Sequence, residues 1–167
     1  MTSETWVFRV TAHPSESLGH FLGRFRRANE LSHKAIAAHL GVNVAWVKDW
    51  EIPSRRRNPT ELQIIALSKL VEVPPQQLRQ MQPPDRLHLQ TRLCPLCYAE
   101  TPAHRVTWQQ LGVDECTRHQ LPLLKACPAC RTGFRTPALW NNEPCLGCGR
   151  RFEHMGLNQV DRAIEPS

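Results

Sequence analysis

Four short pairs of soft donor side chains dominate the second half of this sequence: Cys94-x-x-Cys97, Cys116-x-x-His119, Cys127-x-x-Cys130 and Cys145-x-x-Cys148. They use all seven cysteines of the 167-residue chain. Seven is odd, so disulfides cannot pair them all, and His119 completes a set of eight donors. A pair spaced this closely suits zinc because a tight turn aims both side chains at one ion, and four such pairs make two tetrahedral sites. The prolines of "CPLC" and "CPAC" stiffen those turns, and the glycines of "CLGCG" let backbone amides approach the sulfurs.

The pairs admit two wirings. In the sequential one, Cys94, Cys97, Cys116 and His119 hold one ion, and Cys127, Cys130, Cys145 and Cys148 hold the other. A cross-braced wiring joins the first pair to the third, but such modules place the second and third pairs very close together. Here "QLPLLKA" separates His119 from Cys127, so sequential wiring is expected, with Leu121, Leu123 and Leu124 packing a small core at the joint. His104 competes with His119 as the fourth ligand of the first site but has no cysteine close by. Both ligand sets are closed, which points to two structural Zn2+ ions rather than to catalysis.

Apolar residues are dense and periodic to about Met81 and sparse beyond it. The second half is therefore expected to lean on metal rather than on a hydrophobic core. Paired cysteines fit a chain kept in a reducing compartment. "MTSETWVFRV" has neither a basic n-region nor an apolar h-region, and no run approaches the ~18 apolar residues of a membrane span. Neither export nor a membrane partner is expected.

The first half reads as helices. Ser15 or Ser17 caps a helix through Phe21, Leu22 and Phe25 that ends at Asn29 and Glu30. "SHKAIAAHLGV" places Ile36, Ala37 and Leu40 on one face and stops at Gly41, and "NVAWVKDWE" follows with Val47 and Trp50 apolar. A small Ala37 where two helices approach, a glycine in the turn, and a core of Leu40, Val42, Val47 and Trp50 match a helix-turn-helix. After the loop "IPSRRRNP", Thr60 caps a helix with Leu62, Ile65, Ala66 and Leu70 in register, and "PPQQLRQM" opens another with proline at its start. The expected architecture is a mainly α, repressor-like helix-turn-helix domain followed by two small zinc-ribbon or zinc-knuckle modules. Its boundaries are an arm over 1–14, the helical domain over 15–82, a linker over 83–92, zinc modules over 93–122 and 123–155, and a tail over 156–167.

The chain carries a formal net charge of +6. Residues 1–84 hold 11 Lys/Arg against 7 Asp/Glu, a difference of +4. Such a mild excess suits a phosphate-bearing or acidic partner. In a DNA-reading helix-turn-helix the second helix enters the major groove and Arg, Lys, Asn or Gln read base edges. Here that helix offers Asn43 and Lys48 as readers beside a large apolar Trp46, and Asp49 would face phosphates unfavourably. This is poor equipment for base readout and better equipment for a protein surface. Candidate contacts are Asn43, Trp46 and Lys48, the triplet Arg55, Arg56 and Arg57, and Trp6 on the arm.

The run "RLCPLCYAETPAHRVTWQQLGVDECTRHQLPLLKACPAC" followed by "CLGCG" resembles the TniQ family of transposition proteins, as does "HPSESLGHFLGRFRRAN" near the start. The pattern is carried by Cys94, Cys97, Trp108, Cys116, His119, Leu123, Cys127 and Cys130. The resemblance implies a non-enzymatic adaptor of Tn7-like transposons in the bacterial cytoplasm, associated with the nucleoid. Such an adaptor connects target recognition to the AAA+ ATPase TnsC, which recruits the transposase. Longer members carry a further C-terminal region that recognises DNA sites. The short form looks like that of type V-K CRISPR-associated transposons, where a CRISPR effector with its guide RNA chooses the site and contacts to target DNA are mainly to the backbone. No Gly-x-x-x-x-Gly-Lys-Ser/Thr motif is present, and Asp49, Asp85, Asp114 and Asp161 are too scattered for metal-assisted strand transfer. The competing expectation is a sequence-specific, zinc-stabilised helix-turn-helix regulator that binds DNA unaided.

Overall fold

The computed structural model describes residues 8–53, 57–142 and 144–156. Trp6, Arg55 and Arg56 lie outside them. Among the described residues the fold is mainly helical: α1 (Leu18–Ala28), α2 (His33–Leu40), α3 (Val44–Trp50), α4 (Glu61–Val71), α5 (Pro75–Met81) and α6 (Pro95–Glu100). Three 3-10 turns follow among the described residues, Val106–Gln109, Pro137–Leu139 and Phe152–Gly156, with isolated β-bridges and no sheet there. Among the described residues no helix is long and apolar enough to cross a membrane.

Local chemistry sets the helix ends. Ser32 Oγ accepts from the Ala35 N–H at the start of α2, and Gly41 closes that helix at φ 65°, a conformation open to glycine at little steric cost. Asn43 caps α3 through Ala45 N–H, and Thr60 and Gln63 form a reciprocal capping box on α4. Pro75 occupies the first turn of α5, where its missing N–H would have had no helical partner. Glu51, buried at the end of α3, accepts from Arg26 on α1 (2.8 Å) and pairs with His33 on α2 (2.9 Å), tying three helices together.

The helical core gathers Leu18, Phe21, Leu22 and Phe25 of α1 with Ile36, Val47, Trp50, Ile64, Leu67, Leu78 and Met81. Leu40 and Val42 pack against it, only partly buried. α4 corrects the sequence register. It buries Ile64, Leu67 and Val71, while Leu62 is 80% and Ile65 38% exposed. The segment "LQIIALSKLV" is apolar on two faces, and periodicity alone cannot say which one the other helices cover.

The second half also corrects an expectation, because it has an apolar core of its own. Leu93, Tyr98, Trp108, Leu123, Trp140, Phe152 and Met155 are buried together with five cysteines. Trp140 is the hub, edge-on to Tyr98 (5.7 Å between centroids), His104 (5.3 Å) and Phe152 (4.9 Å). Edge-to-face contacts of this kind add to burial. The aromatics are few in sequence, but they converge.

The two halves meet along α1. A Cβ on Gly23 would lie 2.1 Å from the Ala138 carbonyl oxygen, so only glycine permits this approach. Arg27 donates to the carbonyls of Ala138 and Trp140. The chain just before α1 is stitched to the far half by Ser17 N–H to His104 O (2.8 Å) and Val106 N–H to Ser15 O (2.9 Å). Ser17 thus spends its hydroxyl on His104 Nδ1 (2.9 Å) and makes no side-chain cap bond. Between the halves, within residues 83–92, Leu87 bridges to Gln110, and Arg92 is buried against Val113 O and Asp114.

Candidate metal centres and partner face

α6 grows out of the first donor pair. Cys94 is its N-cap, Pro95 follows, and Cys97 lies in its first turn, so one short helix aims two sulfurs the same way. The other three pairs share a different device. In each, the first residue's N–H bonds the carbonyl five residues on, and its carbonyl accepts the N–H four residues on: Cys116 with Leu121 and Gln120, Cys127 with Thr132 and Arg131, Cys145 with Arg150 and Gly149. The residue four positions on is left-handed each time, at φ 53°, 63° and 72° for Gln120, Arg131 and Gly149. These knuckles turn neighbouring N–H groups toward the sulfurs.

The structure gathers the donors into two tetrads, Cys94–Cys97–Cys116–His119 and Cys127–Cys130–Cys145–Cys148, each with its ligand atoms within 4.8 Å of one another. In the first, Cys97 and Cys116 sulfurs are 3.5 Å apart, and His119 Nδ1 lies 3.5, 3.3 and 3.6 Å from the sulfurs of Cys94, Cys97 and Cys116. In the second, Cys127–Cys148 and Cys130–Cys145 are 3.6 and 3.5 Å apart. A tetrahedral ion with metal–sulfur bonds near 2.3 Å needs edges of about 3.6–3.8 Å. Both tetrads have the size and donor chemistry to hold a metal ion. His104 joins neither; it is buried at the junction between the halves.

Electrostatics point the same way. The Thr132 hydroxyl and backbone N–H hold the Cys130 thiol at about 6. Burial pushes Cys116 up, but the backbone N–H groups of His119 and Arg118 outweigh it and hold the thiol at about 7. Burial and neighbouring thiols push Cys94 and Cys97 up. Thiols packed this closely cannot all ionise unaided, and a divalent cation removes the conflict.

Residues 7–123 match the TniQ family. The chain belongs to the TniQ family. A search of curated proteins found no match. TniQ proteins are non-catalytic transposition proteins, and membership implies a role in Tn7-like transposition. The matched span contains the whole helical half and the whole first tetrad.

The outer face of α3 in this TniQ protein presents Val44, Ala45, Trp46 and Lys48 to solvent, with Trp46 39% exposed. Trp46 borders a cleft of about 330 Å³ lined also by Trp50, Arg57, Asn58, Thr60 and Gln63. Asn43 spends its side-chain oxygen on the α3 cap (2.8 Å). Arg57, exposed, lies 3.8 Å from Asp49. On the arm, Asn29 ties down the Phe8 backbone while the ring stays 56% exposed.

Sequence reasoning missed the polar cluster at the junction. The buried Glu16 carboxylate accepts from the His13 N–H, from His20 and, twice, from Arg24. Its partners lie four and eight residues on, so one helical face carries the signal (Glu16, His20, Arg24), but only burial distinguishes it from a solvated stripe. It also missed Glu100, three residues beyond Cys97, which reaches His119.

Proposed function

We propose that this protein is a non-enzymatic adaptor that links target-site recognition by an RNA-guided CRISPR effector to the AAA+ ATPase TnsC, and so helps recruit the transposase. The observation that carries this reading is the α3 face. Where a DNA reader needs hydrogen-bonding side chains, this helix exposes Val44 and Trp46, and Asn43 is engaged in capping. An exposed tryptophan beside a cleft is the type of group that anchors a protein partner. Lys48, exposed on the same helix, and Arg57, which lines the cleft, suit contacts to the backbone of target DNA, as do Arg55 and Arg56, their neighbours in sequence.

We propose further that each tetrad holds one structural Zn2+. The protein's part is to supply a closed, preshaped donor set; the ion supplies the cross-link that fixes the knuckles to one another.

Association of the purified protein with TnsC, ATP and DNA tests the adaptor reading. Binding that Trp46→Ala weakens at least tenfold is expected, and no association under any nucleotide condition overturns it. A salt titration on specific and random duplexes tests the alternative regulator. Strong preference for one sequence without partners would replace the adaptor reading.

A further inference from the structure

We propose that Glu100 is the outer-shell residue that orients His119 in the first metal centre. The proposal rests on the zinc reading of that tetrad and concerns how its one non-sulfur ligand is set. An imidazole offers a lone pair on only one nitrogen, and the hydrogen bond made by the other nitrogen decides which. His119 turns Nδ1 toward three cysteine sulfurs, at 3.3 to 3.6 Å, and turns Nε2 toward Glu100 Oε1 at 3.0 Å. A carboxylate has no proton to give, so Nε2 carries the hydrogen and Nδ1 is left free to bind.

Glu100 is itself fixed. Its other oxygen, Oε2, lies 3.0 Å from an Arg118 guanidinium nitrogen, so one carboxylate spans two successive residues of the Cys116–His119 knuckle. The arrangement follows from the chain's local geometry. α6 carries Cys94 at its cap, Cys97 in its first turn and Glu100 as its last residue, at successive intervals of three. The same helix therefore delivers two sulfurs and the carboxylate that aims the histidine. The knuckle answers with a sulfur, a cation and an imidazole within Cys116–His119. His119 is 16% exposed at the side chain and Glu100 40%. An ion pair that open would be worth little alone. Its effect is on the ligand: a carboxylate acceptor raises imidazole basicity and locks the ring.

The second tetrad has no histidine, so it is an internal control. The test uses the whole 167-residue chain, zinc-loaded, with zinc transfer to a chromogenic chelator as the affinity readout and long-range 1H–15N NMR of the His119 ring as the tautomer readout. Glu100→Ala should weaken zinc at one of the two sites by about 10- to 100-fold and leave the other at its wild-type value. Glu100→Gln, which keeps an acceptor oxygen, should recover most of that loss. The NMR spectrum of the wild type should show Nε2 protonated and Nδ1 shifted by metal, with faster solvent exchange of the Nε2 hydrogen in Glu100→Ala. Wild-type zinc transfer at both sites in Glu100→Ala, or equal weakening of both, overturns the proposal, as does a metal-bound Nε2. A wild-type protein that binds no metal at the Cys94–His119 tetrad would instead refute the zinc reading itself, which the stoichiometry reports separately.

Discussion

His104 sits at the junction with Nδ1 on the Ser17 hydroxyl and its ring edge-on to Trp108 and Trp140. Burial, with His20 nearby, holds its imidazole down at about 3. In an unfolded chain the group titrates near pH 6.5. Between those values the unfolded chain binds a proton that the folded chain refuses, so stability falls as pH drops through the window, by about 1.4 kcal/mol per pH unit. Glu16 acts lower. Burial alone would raise its carboxyl, but hydrogen bonds from His20 and Arg24 outweigh that and hold it at about 2. Its contribution is complete above the ordinary carboxylate range and lost as pH falls toward 2. Denaturant melts at pH 6.5 and 5.5 should therefore lose about 1 kcal/mol less in His104→Gln than in wild type. Protonation elsewhere in the chain affects both proteins alike, and parallel losses would refute the assignment. The knuckles supply a second residue-scale prediction. Gln120 is held at φ 53°, where a side chain costs about 1–2 kcal/mol, while Gly149 occupies the equivalent place at φ 72° without that cost. Glycine gives part of the difference back as chain entropy. Gln120→Gly should raise the stability of the metal-loaded protein by up to about 1 kcal/mol, and Gly149→Ala should lower it by about the same.

At the scale of elements, α4 shows how much of the fold could be read beforehand. Its cap at Thr60 and its existence follow from local chemistry. Its buried face does not, because Leu62 and Ile65 make as good a helical stripe as Ile64, Leu67 and Val71. Only packing against α2 and α5 chooses. Leu62→Glu should change stability by no more than about 0.5 kcal/mol, whereas Leu67→Ala should cost about 2–5 kcal/mol, both by chemical denaturation. A large loss in Leu62→Glu would restore the register that the sequence suggests. The donor pairs were legible for the opposite reason: each is a local turn, and the spacing that makes the turn is written in three or four letters. Ser17 with His104 was not, because 87 residues separate them and neither type is unusual at its position. The role of Trp140 is hidden in the same way, because the five aromatic or histidine rings around it are spread from His20 to Phe152. The eight donors could be grouped from sequence; the carboxylate behind His119 could not, since Glu100 meets it only through the fold, 19 residues away in the chain.

At the scale of the whole molecule, α1 belongs to both halves. Its apolar side buries Leu18, Phe21, Leu22 and Phe25 in the helical core, and its other side carries Gly23 and Arg27 against Ala138 and Trp140. A helix shared in this way fixes the two halves relative to each other more rigidly than a linker would. The same construction couples the halves thermodynamically. Metal that binds only the folded knuckles stabilises them by mass action, and what α1 shares with them is stabilised too. Removing metal with a chelator should therefore lower the thermal midpoint of the helical circular-dichroism signal, although no donor lies in α1–α5. Gly23→Val separates the two effects, because its side chain collides with the Ala138 backbone and parts α1 from that turn. In that variant the helical transition should become less sensitive to chelator while zinc still binds, the residual shift being carried by the Ser15 and Ser17 contacts to the far half. A wild-type helical transition that chelator does not move would mean that the two halves fold independently despite their contacts, and that the shared helix transmits nothing between them.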